Sequence, residues 1–209
     1  MPEAGRVRKG VGTVLFMFVI TLIFISALTL VNLLTLERVE RNRELLRQRA
    51  VLYSAGLSLP ESDVETAELF DRNVREVRGD QGGLLFYEVR PPGQADPAGY
   101  VVVRGDPGLW GEIETSIGYD PGLERLLGLD FIKQNETPGL GARISESWFR
   151  EQFRGKRGPF RLVPEGVESA EDEFQAITGA TSTSNAVLDI LNRSIEEDLP
   201  RIAAERGKP

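Results

Sequence analysis

Two short stretches combine residue types and spacings that can do chemistry. The first is Ile177-Thr178-Gly179-Ala180-Thr181-Ser182-Thr183-Ser184, where small residues crowd together with hydroxyls. It precedes a stretch in which Val187, Ile190, Leu191 and Ile195 recur at helical spacing, so a helix is predicted over 185–199, with Pro200 ending or kinking it. Ser and Thr just ahead of a helix satisfy its free N–H groups, which accounts for Thr183 or Ser184. It does not account for Gly179-Ala180-Thr181, which lies outside such a cap. The same free N–H groups and the positive end of the helix dipole attract phosphate. A phosphate bonded to the Thr181 hydroxyl would sit near that end, and Gly179 and Ala180 would let a bulky planar ligand approach the backbone.

The second stretch is Glu136-Thr137-Pro138-Gly139-Leu140-Gly141. Pro138 pushes Thr137 into extended geometry, and Gly139 and Gly141 permit positive φ. The result is a rigid loop, poor in side chains, whose N–H groups and Glu136 carboxylate can edge a ring. A plain tight turn explains the same residues. Glu136 suits ordering the loop better than acid–base work. Trp110, within Gly108-Leu109-Trp110-Gly111, either stacks on a planar ring or fills the core.

What is missing narrows the chemistry. The 209 residues include no Cys and no His. Thiolate-held clusters, the usual zinc sites, disulfides and Ser-His or Cys-His nucleophiles are therefore excluded, and neither a metal ligand set nor a catalytic residue can be assigned. Redox chemistry would need an organic cofactor. A formal net charge of -7 argues against nucleic-acid binding, which needs a basic face.

The elements that must position these stretches follow a membrane anchor. Residues 10–36 carry no charge, and at roughly 1.5 Å per residue they are long enough to cross a ~30 Å hydrocarbon core with some tilt. Arg6, Arg8 and Lys9 before the span favour a cytoplasmic N-terminus, whereas Arg38, Arg41, Arg43, Arg47 and Arg49 follow it. A long C-terminal domain translocates largely regardless of such charges. The predicted layout is a tail (1–9), a transmembrane helix (10–36), a juxtamembrane helix (37–57) stopped by Pro60, and one domain (58–209). Val39, Leu46 and Tyr53 recur at heptad spacing in the juxtamembrane helix, which reads as a solvated stalk or as a helix packed on a partner. Within the domain, 84–90 and 99–104 read as paired strands around a Pro/Gly loop, and 105–111 as a turn. Strands are also predicted at 112–118 and 128–134, and a short helix at 145–153 with Trp148, Phe149 and Phe153 buried. The fold class is α+β: one N-terminal transmembrane helix followed by a single domain, which the resemblance below implies is extracytoplasmic.

Taken together and in this order, the motifs resemble one family. Thr178-Gly179-Ala180-Thr181 followed by Ser182 and Thr183 looks like the flavinylation motif of FMN-binding electron-transport subunits. Residues 136–141, followed by the aromatic-rich Phe149-Arg150-Glu151-Gln152-Phe153 segment, and residues 108–111 are similar to its other signatures. Size and layout are closest to the G subunit of the Rnf electron-transport complex, with the C subunit of the sodium-translocating NADH:quinone oxidoreductase a longer relative. The resemblance implies one FMN per chain, joined covalently through its phosphate to Thr181 by a separate flavin transferase. It implies further contacts from Thr178, Gly179, Ala180, Ser182, Thr183, Glu136, Thr137, Gly139, Leu140 and Trp110. It also implies a single-pass protein of the cell inner (cytoplasmic) membrane, its N-terminus cytoplasmic and its domain periplasmic, relaying electrons between other membrane subunits of an ion-translocating complex. One departure is Gln175, at a position where the family usually has Asp. Two alternatives stand beside this reading: an anchored regulatory or assembly module with non-covalent or no flavin, and a stand-alone binding protein for another planar ligand.

Overall fold

The computed structural model describes residues 3–206, with 3–10 as helix backbone alone. The tail charges Arg6, Arg8 and Lys9 thus lie outside the described side chains. Two compact units are present, Met1–Glu44 and Leu45–Pro209. The first is the greater part of one long helix, α1 (Glu3–Ser54). From Val11 to Leu36 its apolar side chains are exposed, and the helix is long and apolar enough to cross a membrane.

The second unit is built on a five-stranded antiparallel meander in chain order: β1 (Val74–Arg78), β2 (Leu84–Val89), β3 (Gly99–Pro107), β4 (Glu112–Tyr119) and β5 (Leu126–Lys133). Alternation along the strands sends side chains to opposite faces. Phe86, Tyr100, Val102, Ile113 and Ile117 point to one face, where they meet Phe149, Phe153, Phe174, Val187, Ile190 and Leu191. Tyr87, Val89 and Val101 point to the other, where they meet Val51, Leu52 and Phe70. The first face therefore carries the short helix α3 (Ser147–Glu151), the two-stranded parallel pair β6 (Arg161–Val163) and β7 (Glu173–Gln175), and helix α4 (Thr181–Arg193). The second face carries the end of α1 and helix α2 (Asp63–Asn73).

The structure departs from the sequence reading in four places. The last turns of α1 are neither a solvated stalk nor a partner-facing helix. Ala50, Val51, Leu52, Ser54 and Ala55 are buried on the domain's own sheet, whereas Val39 and Leu46 of the heptad stripe are exposed. Pro60 does not stop this helix. Gly56, at φ 79, reverses the chain, and the Leu57 and Gly56 N–H groups bond the carbonyls of Leu52 and Tyr53, the pairing of a glycine-terminated helix. Pro200 does not end the last helix either. A π-helical turn (Ser194–Asp198) carries α4 into α5 (Leu199–Glu205), and Pro200 follows directly on that turn. Trp148 is only half-buried, its indole N–H turned outward to Glu146. The sequence reading also lacked β1, α2, β6 and β7: β1 is a charged edge strand, and β6 and β7 have three residues each.

The joint between α1 and the sheet leaves no room for a side chain at Gly118. A Cβ there would lie 1.9 Å from the carbonyl oxygen of Ser54. Beside it, the Ser54 and Ser116 hydroxyls are 2.6 Å apart. Gly118→Ala should therefore lower the stability of the detergent-solubilised chain by about 1–3 kcal/mol, read as a fall in Tm, whereas Gly83→Ser, in open space and without a positive φ, should leave the Tm nearly unchanged.

Candidate functional site

The three sequence motifs, far apart in the chain, meet at one buried carboxylate. Glu136 is 4 % exposed. Its Oε1 accepts the backbone N–H groups of Leu109 (2.9 Å) and Trp110 (3.0 Å), and its Oε2 accepts the hydroxyl of Thr183 (2.5 Å). Among the described residues no cation pairs with this carboxylate, so it is tolerable only when several donors converge on it, and here one comes from the first turn of α4 and two from the turn after β3. Gly141 lies so close that a Cβ would approach Thr183 Oγ1 to 2.5 Å and Glu136 Oε2 to 2.9 Å. The role of Gly141 is thus close approach; of the two glycines that permit positive φ in this loop, Gly139 takes it, at 74°. The loop closes through the N–H groups of Leu140 and Ala142, both donated to the Thr137 carbonyl at 3.1 Å.

The hydroxyl-rich motif is also placed differently from the capping reading. Helix α4 begins at Thr181, four residues earlier than expected, with Ala180 as its N-cap. Neither Thr183 nor Ser184 caps it. Thr183 turns to Glu136, and Ser184 is buried, accepting the Ile177 N–H at 3.0 Å and donating to the Ala180 carbonyl at 3.0 Å. The first intrahelical bond runs from the Ser184 N–H to the Ala180 carbonyl, which leaves the N–H groups of Thr181, Ser182 and Thr183 without partners inside the helix. Thr181 and Ser182 are exposed. Ahead of them the Ala180 N–H bonds the Ile177 carbonyl at 3.0 Å, closing a turn in which Gly179 takes φ 79. A side chain at Gly179 would be strained there and would press on Leu140 at 3.2 Å. The 136–141 loop and the 178–181 turn are therefore in contact.

Beside Thr181 runs an open groove of about 520 Å³, walled by Leu162, Val163, Pro164, Glu165, Ile177 and Thr178 among others. Leu140, Leu109 and Trp110 are exposed at 43, 56 and 66 %, so Trp110 is not a core residue. Thr137 and Thr178 are exposed as well. Among the described residues, no group of His, Cys, Asp or Glu is arranged to hold a metal ion.

Glu165 and Arg143 were not legible as site residues in the sequence. Arg143 lies in a short 3-10 helix (Gly141–Ser145) and Glu165 in the turn after β6, neither has a local signature, and only the tertiary fold joins them. Arg143 pairs with Glu165 at 2.8 Å, and the Thr178 N–H donates to Glu165 at 2.7 Å. The Arg143 guanidinium first, then the Thr178 N–H and hydroxyl, hold the Glu165 carboxyl down to about 2 from its ordinary 4.5. Because the pair lies near the surface, where solvent screens it, the depressed carboxyl adds only a little stability, present above about 4.5 and lost as pH falls through about 2. A carboxyl-carbon NMR titration should find Glu165 still ionised at pH 3.5, and Arg143→Met should move its midpoint upward. For Glu136, denaturation should show a loss of about 2–3 kcal/mol for Glu136→Ala, which strands buried donors, and about 1 kcal/mol for Thr183→Val.

Known proteins resemble this chain in sequence and share its fold. Residues 108–196 match the family model described as FMN-binding domain, a span that contains all three motifs. The chain is 32 % identical over 191 residues to the G subunit of the Na(+)-translocating ferredoxin:NAD(+) oxidoreductase complex of Acetobacterium woodii, covering 87 % of this chain and 88 % of that protein. The crystal structure of the C subunit of the Na(+)-translocating NADH-quinone reductase of Parabacteroides distasonis superimposes with a TM-score of 0.62 at 26 % identity, over 75 % of this chain and 90 % of that one. Shewanella oneidensis NqrC shares the fold at a TM-score of 0.66 and 18 % identity, over 78 % of this chain and 98 % of that one. With its three motifs gathered on this fold and a relative matched along most of both chains, the protein belongs to the FMN-binding family of Rnf-type G subunits, to which the C subunits of the NADH-quinone reductases are related.

Proposed function

We propose that this chain is a single-pass subunit of a membrane-bound, ion-translocating electron-transport complex, and that it relays electrons through an FMN joined by a phosphoester to Thr181. The observation that carries the reading is the position of Thr181. Its residue is exposed, it opens α4 where backbone N–H groups are free, and it borders a groove with apolar walls. A phosphate ester at that oxygen would lie against the helix N-terminus, where partial positive charge stabilises it. In the attachment step the Thr181 hydroxyl oxygen displaces AMP from FAD: the Oγ–P bond forms, the pyrophosphate bond breaks, and the hydroxyl proton is lost. A separate flavin transferase performs it.

The residues present fit such a group. Leu140 and Trp110 offer exposed apolar surface beside Gly179 and the Glu136-bound loop, suited to the flat face of a ring. Ser182 and the free N–H groups of the first turn of α4 would hold the phosphate. Thr183 is committed to Glu136 and supports the helix start from behind. The flavin, when bound, supplies the electron chemistry. The protein holds it at a fixed place and leaves one side open to partners. The helix of residues 10–36 anchors the domain in the membrane, with the N-terminus in the cytoplasm and the domain outside it, next to the other membrane subunits.

A second reading, an anchored module without covalent flavin, is favoured by Gln175. Its side-chain oxygen accepts the Gly166 N–H at 2.8 Å, so a neutral amide stands beside the flavin motif where the family resemblance expects a carboxylate. In-gel flavin fluorescence after denaturing electrophoresis separates the two. Co-expressed with a flavin transferase, the wild-type chain should give a fluorescent band, and Thr181→Ala should give none. A dark wild-type band would favour the module. A bright Thr181→Ala band would move the attachment to another hydroxyl.

A further inference from the structure

The turn after β6 is mounted from two directions. Its Val167 N–H bonds the Pro164 carbonyl at 3.2 Å, and its Gly166 N–H bonds Gln175 Oε1 at 2.8 Å. Gln175 is fixed in turn, its N–H donating to Gln152 Oε1 at 2.7 Å. At the tip of this turn Glu165 is gripped by both Arg143 nitrogens, Nη2 to Oε1 at 2.8 Å and Nη1 to Oε2 at 3.4 Å. Arg143 itself lies over the Trp148 ring at 5.2 Å. The free edge of the carboxylate takes the Thr178 N–H at 2.7 Å.

We propose that Glu165, held by Arg143, is a positioning residue for the modification of Thr181. This rests on the attachment reading above. Thr178 stands at the second place of the turn that the Ile177 carbonyl and Ala180 N–H close, and Thr181 follows that turn directly. Fixing the Thr178 N–H therefore fixes the direction in which the Thr181 hydroxyl leaves the chain. Glu165 is half-buried and Thr178 exposed, and ion pairs near the surface add little to overall stability, so the arrangement acts locally. The charge balance points the same way. Glu165 and Thr181 border one groove, and a phosphoester there is an anion. Arg143, which also faces Glu146 at 3.5 Å, offsets part of the Glu165 charge that would otherwise repel it.

The test compares attachment rates in the full-length chain incubated with flavin transferase and FAD, together with hydrogen exchange at the Thr178 amide before any flavin is present. Glu165→Ala should slow attachment about tenfold and speed exchange at Thr178, with the Tm nearly unchanged. Glu165→Gln keeps an acceptor and should retain most of the rate. Arg143→Met leaves a bare carboxylate and should slow attachment, and adding Glu165→Gln to it should restore the rate to that of Glu165→Gln alone. Wild-type rates and unchanged exchange in Glu165→Ala, alongside a dark Thr181→Ala control, would overturn the role of Glu165 while leaving the attachment reading intact. A bright Thr181→Ala control would overturn both.

Discussion

The Glu136 carboxylate is the interaction on which the rest of the site depends. Buried among donors from two other segments, it has to be satisfied in place, because a desolvated carboxylate without partners would cost several kcal/mol. The Leu109 and Trp110 N–H groups and the Thr183 hydroxyl meet that demand. In doing so they fix the turn after β3, the loop after β5 and the first turn of α4 against one another. The close approach at Gly141 follows from the same demand, since any side chain there would push Thr183 away from the carboxylate.

A division of labour follows. Thr183, which the sequence groups with its neighbours as one run of hydroxyls, faces inward and holds the helix start in place. Thr181, two residues earlier, faces outward and is free to react. The spacing matters because residues two apart on a helix point in very different directions. The helix supplies the positive end that an anionic ester at Thr181 would need, the glycine turn leaves the approach open, and the exposed Leu140 and Trp110 provide an apolar surface beside it. None of these features requires a metal, a thiol or an imidazole, which suits a chain without Cys or His.

The sheet separates two tasks. One face packs the end of α1 so tightly that Gly118 has no room for a Cβ, and the other face packs α3 and α4 and so carries the site. The guanidinium groups of Arg150 and Arg154 both lie over the ring of Tyr53, near the end of α1, 4.5 and 4.6 Å from its centre, and Tyr53 donates its hydroxyl to Glu151. Both α3 and its flanking residues thus bind the anchor helix, while Gln152, the next residue, bonds Gln175 beneath the flavin motif.

The sequence by itself determined the anchor, the α+β class, four of the five meander strands and the motif residues, because each rests on local information: an uncharged run, alternation, or a glycine-hydroxyl cluster of fixed spacing. It placed the start of α4 four residues late, because Ser and Thr read as caps when nothing in the chain shows that Thr183 has a distant carboxylate to bind. It ended α1 at a proline, when the buried residues Ala50 to Ala55 and the reversal at Gly56 depend on a sheet formed much later in the chain. Only the tertiary structure decided which hydroxyl faces solvent, that Trp110 lies outside the core, and that Arg143 and Glu165 reach Thr178. Those facts depend on contacts between residues far apart in sequence, and the satisfaction of a buried charge is a property of the place where the segments meet.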